Sequence, residues 1–211
     1  MSETEIGLRE RKKQVTRQAI ADATLRLALD KGLEHVTLED IAEEAFVSPR
    51  TVSNYFSCKE EALVAAGSQD ALDLVGLLRQ RPPGEPPLQA LRDLLLAYVA
   101  GRSPEQLQRS LDKVRLGERY PSVQPFVTAQ YASLEAGLRE VVAERTGTSV
   151  DDDVYPWLVA AAMVSAITAV LRVWDRRGAH PGELTALVEH AFDEIGDGLT
   201  APKRDVTPLS A

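Results

Sequence analysis

Residues 157 to 171 read WLVAAAMVSAITAVL, fifteen positions in a row without a charge. A membrane span needs about 20 apolar residues. Arg172 closes this run short of that, so the segment is expected to be a helix buried within the protein or within an oligomer. The rest of the chain is helical in pattern too. In residues 9 to 31, Ile20, Ala23 and Leu27 recur with Leu25, Ala28 and Leu29 at the spacing of an amphipathic helix, and Gly32 follows as a stop. Thr37 is placed to N-cap a short helix through Ala45, with Asp40 three residues on as in a capping box. Ser48 and Pro49 suit the cap and first position of a third helix ending near Phe56. A fourth is expected from Lys59 to about Arg79. QRPPGEPP, residues 80 to 87, breaks it into an exposed loop. Further helices are expected at 88–100, 104–117, 122–146, 152–176 and 182–198. With no alternating strand pattern and no repeat of fixed period, the predicted fold is all-α, with about nine helices.

The chain has 211 residues, 44% hydrophobic and 27% charged, enough to bury a real core as one large domain or as a small head on a larger body. One cysteine, Cys58, excludes an internal disulfide framework and a cysteine-rich zinc site. With three scattered histidines, no metal site or cofactor is expected. The opening MSETEIGLRERKKQ lacks the apolar run of a secretory signal, which points to the cytoplasm and away from a membrane. No catalytic constellation is expected either. Ser110 and Lys113 form a Ser-x-x-Lys pair without the companion motifs of that chemistry, Asp151 to Asp153 suit the start of a helix, and no phosphate loop or dinucleotide fingerprint occurs.

A net charge of -8 argues against DNA until its distribution is read. Arg9, Arg11, Lys12, Lys13 and Arg17 face only Glu10 within residues 9 to 17, whereas residues 18 to 66 are acidic on balance. A surface facing DNA must therefore be narrow, with acidic flanks turned away. Three short helices within residues 9 to 56 fit a helix-turn-helix in a three-helix head, with 38–45 first and 49–55 as the reading helix. The reading helix offers Arg50, Ser53, Asn54 and Tyr55, while Val52 and Phe56 can face inward. Arginine pairs with guanine, asparagine with adenine, and hydroxyls suit phosphates. Thr37 and Ser48 sit at helix N-termini, which favour phosphate. The expected DNA-binding set is Arg11, Lys12, Lys13, Arg17, Thr37, Ser48, Pro49, Arg50, Thr51, Ser53, Asn54, Tyr55 and Lys59.

Thr16-Arg17 with Ile20, Ala23 and Leu27, then Gly32, Thr37, Ile41-Ala42, Ala45, Val47-Ser48, Thr51 and Tyr55-Phe56-x-x-Lys59-Glu60-x-x-Leu63, resembles the DNA-binding head of the TetR family of bacterial regulators. The resemblance implies a homodimer, a two-fold symmetric double-stranded DNA operator, and a helical C-terminal body that binds a small-molecule inducer and dimerises. Ser53 stands where the family often has an aromatic, and Cys58 where it has Ser, Thr or Asn. Cys58 reads as a capping variant or, alternatively, as a redox sensor.

The expected division is a DNA-binding head at 1–57, a ligand-binding and dimerisation body at 58–199, and a disordered tail at 200–211. Apolar walls with a few polar groups are what a small-molecule site needs. Leu95, Tyr98, Phe126, Tyr131, Trp157, Met163, Ser165, Thr168 and Arg172 could supply them. The helices at 152–176 and 182–198 are expected at the dimer interface. The helix from 59 to 79 is expected to run unbroken and carry the ligand signal to the heads. The chain thus reads as a ligand-responsive transcriptional repressor, with a helical ligand-binding or scaffold protein that has lost specific DNA binding as the alternative.

Overall fold

The computed structural model describes residues 3–180 and 182–200; of the tail expected at 200–211, all but Thr200 lies outside them. The described residues form ten α-helices, two 3-10 turns and no strand. The helices are α1 (Glu3–Lys31), α2 (Leu38–Glu44), α3 (Pro49–Tyr55), α4 (Lys59–Ala65), α5 (Ser68–Gln80), α6 (Pro87–Ala100), α7 (Pro104–Arg119), α8 (Gln124–Thr146), α9 (Tyr155–Arg176) and α10 (Glu183–Gly196). The 3-10 turns are Leu33–His35 and Pro121–Val123.

The tenth helix arises because the expected fourth one is two. Ala66 leaves the helical region at ψ 119, and Gly67 follows at φ +70, left-handed backbone that glycine adopts without a Cβ penalty. The Nζ of Lys113 donates to the Ala66 carbonyl at 2.6 Å, filling an acceptor that the break exposes. An unbroken element from 59 to 79 therefore does not exist.

Two compact units divide the chain. The first comprises residues up to Asp73 together with Gln108–Leu134; the second comprises Leu74–Leu107 and the chain from Glu135 onward. The expected boundary at 57/58 falls between α3 and α4, yet α4 packs on α1. In the first unit Ile20, Leu25, Leu33, Ile41, Val52, Phe56 and Leu63 share one core with Leu116 and Val123. Residues of α7 and of the 3-10 turn after it thus complete the core shared by α1 to α4.

In the second unit α9 packs on α10 and α6. At 22 residues α9 is long and apolar enough to cross a membrane. Its buried residues Val159, Ala160, Met163, Ala166, Val170 and Trp174, however, recur every three to four positions on one face, the pattern of a core helix. The proline-rich stretch between α5 and α6 is pinned rather than loose. The Arg145 guanidinium donates to the carbonyls of Leu78, Arg81, Pro82 and Glu85 at 2.7 to 3.1 Å. Arg81 pairs with Glu85 and, at 3.3 Å, with Asp93. The expected aspartate cap of α9 lies in the turn ahead of it, where Asp153 accepts from the Ser149 N–H at 2.7 Å.

Candidate nucleic-acid interface

Local chemistry sets the two helices of the head. The Thr37 hydroxyl accepts from the Asp40 N–H, and the Asp40 carboxylate accepts from the Thr37 N–H, closing the capping box that starts α2. Asp40 also pairs with Lys31 at 2.7 Å, and this ammonium together with Thr37 holds its carboxyl well below the usual carboxylate range. Four residues on, Glu44 pairs with Arg26 at 2.9 Å, so α2 is tied to α1 at both ends. At α3 the Ser48 hydroxyl accepts from the Thr51 N–H at 3.1 Å, with Pro49 at the first helical position.

Turned this way, α3 buries Val52 and Phe56 and leaves Arg50, Ser53 and Asn54 in solvent. Those three lie at i, i+3 and i+4, neighbours on one helix face. A guanidinium, a hydroxyl and a carboxamide standing together are donors and acceptors fitted to base edges. The Ser53 hydroxyl makes a weak bond to the Pro49 carbonyl at 3.3 Å. Tyr55 is half-buried against the head core, and Thr51 is half-buried beside Ser48, with the two hydroxyls 2.8 Å apart. Arg11, Lys12 and Lys13 are exposed on α1. Arg17 is half-buried, its guanidinium 4.5 Å from the Phe56 ring centroid, where it stiffens the junction between α1 and the end of α3. Lys59 is placed differently from a lysine reaching for phosphate. Its ammonium donates to the carbonyls of Val36 at 3.0 Å and Glu34 at 3.4 Å, in the turn before α2.

Sequence reasoning passed over Tyr120. Its hydroxyl accepts from the Leu33 N–H at 3.3 Å and donates to the Glu34 carboxylate. That bond lowers the Glu34 pKa and raises that of Tyr120. A single polar aromatic just after a helix carries no periodic signal, and its partners lie 86 and 87 residues away.

The residues expected around a small molecule do not form one site within either unit. Phe126 packs against the head core, and Tyr131 also belongs to the first unit. In the second unit Leu95 and Tyr98 are half-buried on α6, and Met163 is buried on α9. Thr168 donates to the Val164 and Ser165 carbonyls of its own helix, while Ser165 and Arg172 are exposed. Trp157 is 46% exposed, with the Arg139 guanidinium 3.7 Å from its ring centroid and its indole N–H on the Val150 carbonyl.

Among the described residues, an all-helical fold with a helix-turn-helix whose second helix turns a polar face outward defines the class of helix-turn-helix DNA-binding proteins. Known proteins narrow this. Residues 20–66 match the model for bacterial regulatory proteins of the tetR family, and residues 85–200 match that for the MftR C-terminal domain. The HTH-type transcriptional regulator TcmR of Streptomyces glaucescens is 33% identical over 205 residues, covering 94% of this chain and 90% of that protein. The chain belongs to the TetR family. Among solved structures, Thermus thermophilus FadR in complex with lauroyl-CoA is similar at a TM-score of 0.55 and 21% identity, over 92% of this chain and 99% of that one. SmeT, the repressor of the Stenotrophomonas maltophilia multidrug efflux pump SmeDEF, solved with triclosan, is similar at 0.57 and 18%, over 93% and 100%.

Proposed function

We propose that the protein is a cytoplasmic homodimeric repressor that grips a two-fold symmetric operator through α3 and lets go when a small, largely apolar molecule enters its second unit. The observation that carries the reading is the outward face of Arg50, Ser53 and Asn54 over an inward Val52 and Phe56. Arg50 and Asn54 read base edges, whereas Arg11, Lys12 and Lys13 meet phosphates and contribute the salt-dependent part of affinity. A dimer carries two such helices to half-sites about 34 to 36 Å apart, one turn of DNA. Of the expected lining residues in the second unit, Leu95, Tyr98 and Met163 are the apolar ones turned inward and are taken as the walls of the inducer site, which suits an apolar ligand. Release requires the inducer to bind the DNA-incompetent form more tightly, and a coupling of about 1 to 3 kcal/mol weakens the operator complex roughly 5- to 150-fold.

Selection from a random duplex pool by the full chain at low salt tests this reading. The expected product is a palindrome whose affinity falls steeply as salt rises. In the same assay Arg50→Ala should relax preference at one base pair, at a cost of about 1 to 3 kcal/mol. A pool that yields no enriched sequence would leave a helical ligand-binding protein without specific DNA binding.

A further inference from the structure

The turn that delivers the chain from α1 into α2 makes its own backbone bonds, His35 N–H to the Gly32 carbonyl at 3.1 Å and Val36 N–H to the Leu33 carbonyl at 3.2 Å, but its own residues do not cap its start. Gly32 precedes the 3-10 turn at φ +82 and has no side chain with which to cap it. A Cβ at Gly32 would lie 2.8 Å from the Glu34 carboxylate, which folds back across it. The orphan N–H of Leu33 finds its acceptor in the Tyr120 hydroxyl, and the same hydroxyl gives its proton to that Glu34 carboxylate. Lys59 gathers the Glu34 and Val36 carbonyls of the same turn. Tyr120 is itself held: its N–H donates to Leu116 at 3.0 Å, its carbonyl accepts from Val123 at 2.9 Å, and its ring packs against the head core. One residue beyond Val36 stands Thr37, the cap of α2, and α2 packs on α3.

We propose that Tyr120 is the positioning residue of the reading head: its hydroxyl caps the start of the α1–α2 turn in place of a local side chain and so sets how α2 and α3 are offered to DNA. This rests on the reading of the chain as an operator-binding regulator. A turn capped by a residue far along the chain, at the end of α7, can be reset from there, as one capped by its own serine or aspartate cannot. The path runs from α7 through Tyr120 to Leu33 and Glu34, then to Thr37, α2 and α3. It does not need an unbroken helix after Lys59.

The experiment compares affinity at 25 °C for the operator selected by the wild-type chain with affinity for an unselected duplex of equal length. Tyr120→Phe keeps the ring and removes the hydroxyl. It should lower operator affinity about 5- to 30-fold, the loss of one or two hydrogen bonds, while leaving the unselected duplex unchanged, because phosphate contacts tolerate reorientation. Glu34→Gln keeps an acceptor and should stay within about twofold of wild type, whereas Glu34→Ala, which leaves the Leu33 bond in place, should lose less than Tyr120→Phe and add nothing to it in the double variant. An unchanged ratio of the two affinities in Tyr120→Phe overturns the proposal. So does a parallel loss on both duplexes together with a lower unfolding midpoint, which marks a merely structural tyrosine. A wild-type chain that selects no sequence would instead overturn the operator-binding reading itself.

Discussion

Phe46 sits in the turn between α2 and α3 at φ +55 with 95% of its surface in solvent. For a side chain with a Cβ the left-handed region costs about 1 to 2 kcal/mol, and an exposed ring repays little of it. Phe46→Gly should therefore raise the unfolding free energy by about 0.5 to 1 kcal/mol, read as a higher urea midpoint with unchanged slope; a lower midpoint would show that the ring packs on something. Lys59 presents the opposite case, a residue whose type invited one role and whose surroundings supply another. Lys59→Met keeps the apolar stem and orphans two carbonyls. The expected result is a loss of about 1 kcal/mol in stability with a salt slope of DNA binding changed by less than one unit. A slope smaller by a full unit at unchanged stability would make Lys59 a phosphate contact after all. The Thr37–Asp40 box and the Ser48–Pro49 start were legible in the sequence because their partners lie within three residues. Lys59 and Tyr120 were not, since their partners stand 23 to 87 residues away and only the fold brings them together.

Helix positions were legible wherever apolar spacing and a cap agreed, and illegible where the spacing ran on through a break. Leu63, Leu74 and Leu78 keep a helical appearance across Ala66 and Gly67, and a single glycine inside such a pattern is ordinarily tolerated. The proline-rich stretch 80 to 87 was legible as an interruption but not as an ordered one. Arg145, on α8, lies some 60 residues further on, and no local pattern links a guanidinium to four carbonyls. Arg145→Lys tests that clamp. One ammonium cannot span two pairs of acceptors, so the unfolding free energy should fall by about 1 to 2 kcal/mol, and the amide protons of Arg81 and Glu85, bonded to the Leu78 and Pro82 carbonyls, should exchange faster. Exchange at the wild-type rate would mean that prolines alone keep the loop in place.

For the molecule as a whole, the proposed homodimer has its candidate seam on the outer face of α9. Its inner face is buried, yet Leu158 is 64% exposed, and Ser165, Ala169 and Val173 are exposed further along. Leu158, Ala169 and Val173 are apolar groups that a second protomer in the proposed dimer would cover. Leu158→Glu should shift sedimentation from dimer toward monomer and weaken operator binding, with helical content unaltered; an unchanged dimer would move the interface off α9. The shared core of the first unit also bears on engineering. Family heads invite exchange, to give a new DNA specificity to an existing sensor. A graft cut at the end of α3 or at Gly67 would leave Leu116 and Val123 without the head core they pack in, and would part Lys113 from Ala66 and Tyr120 from Leu33. A hybrid that keeps its native reading geometry has to carry residues 108 to 134 along with the head, as a graft in two pieces.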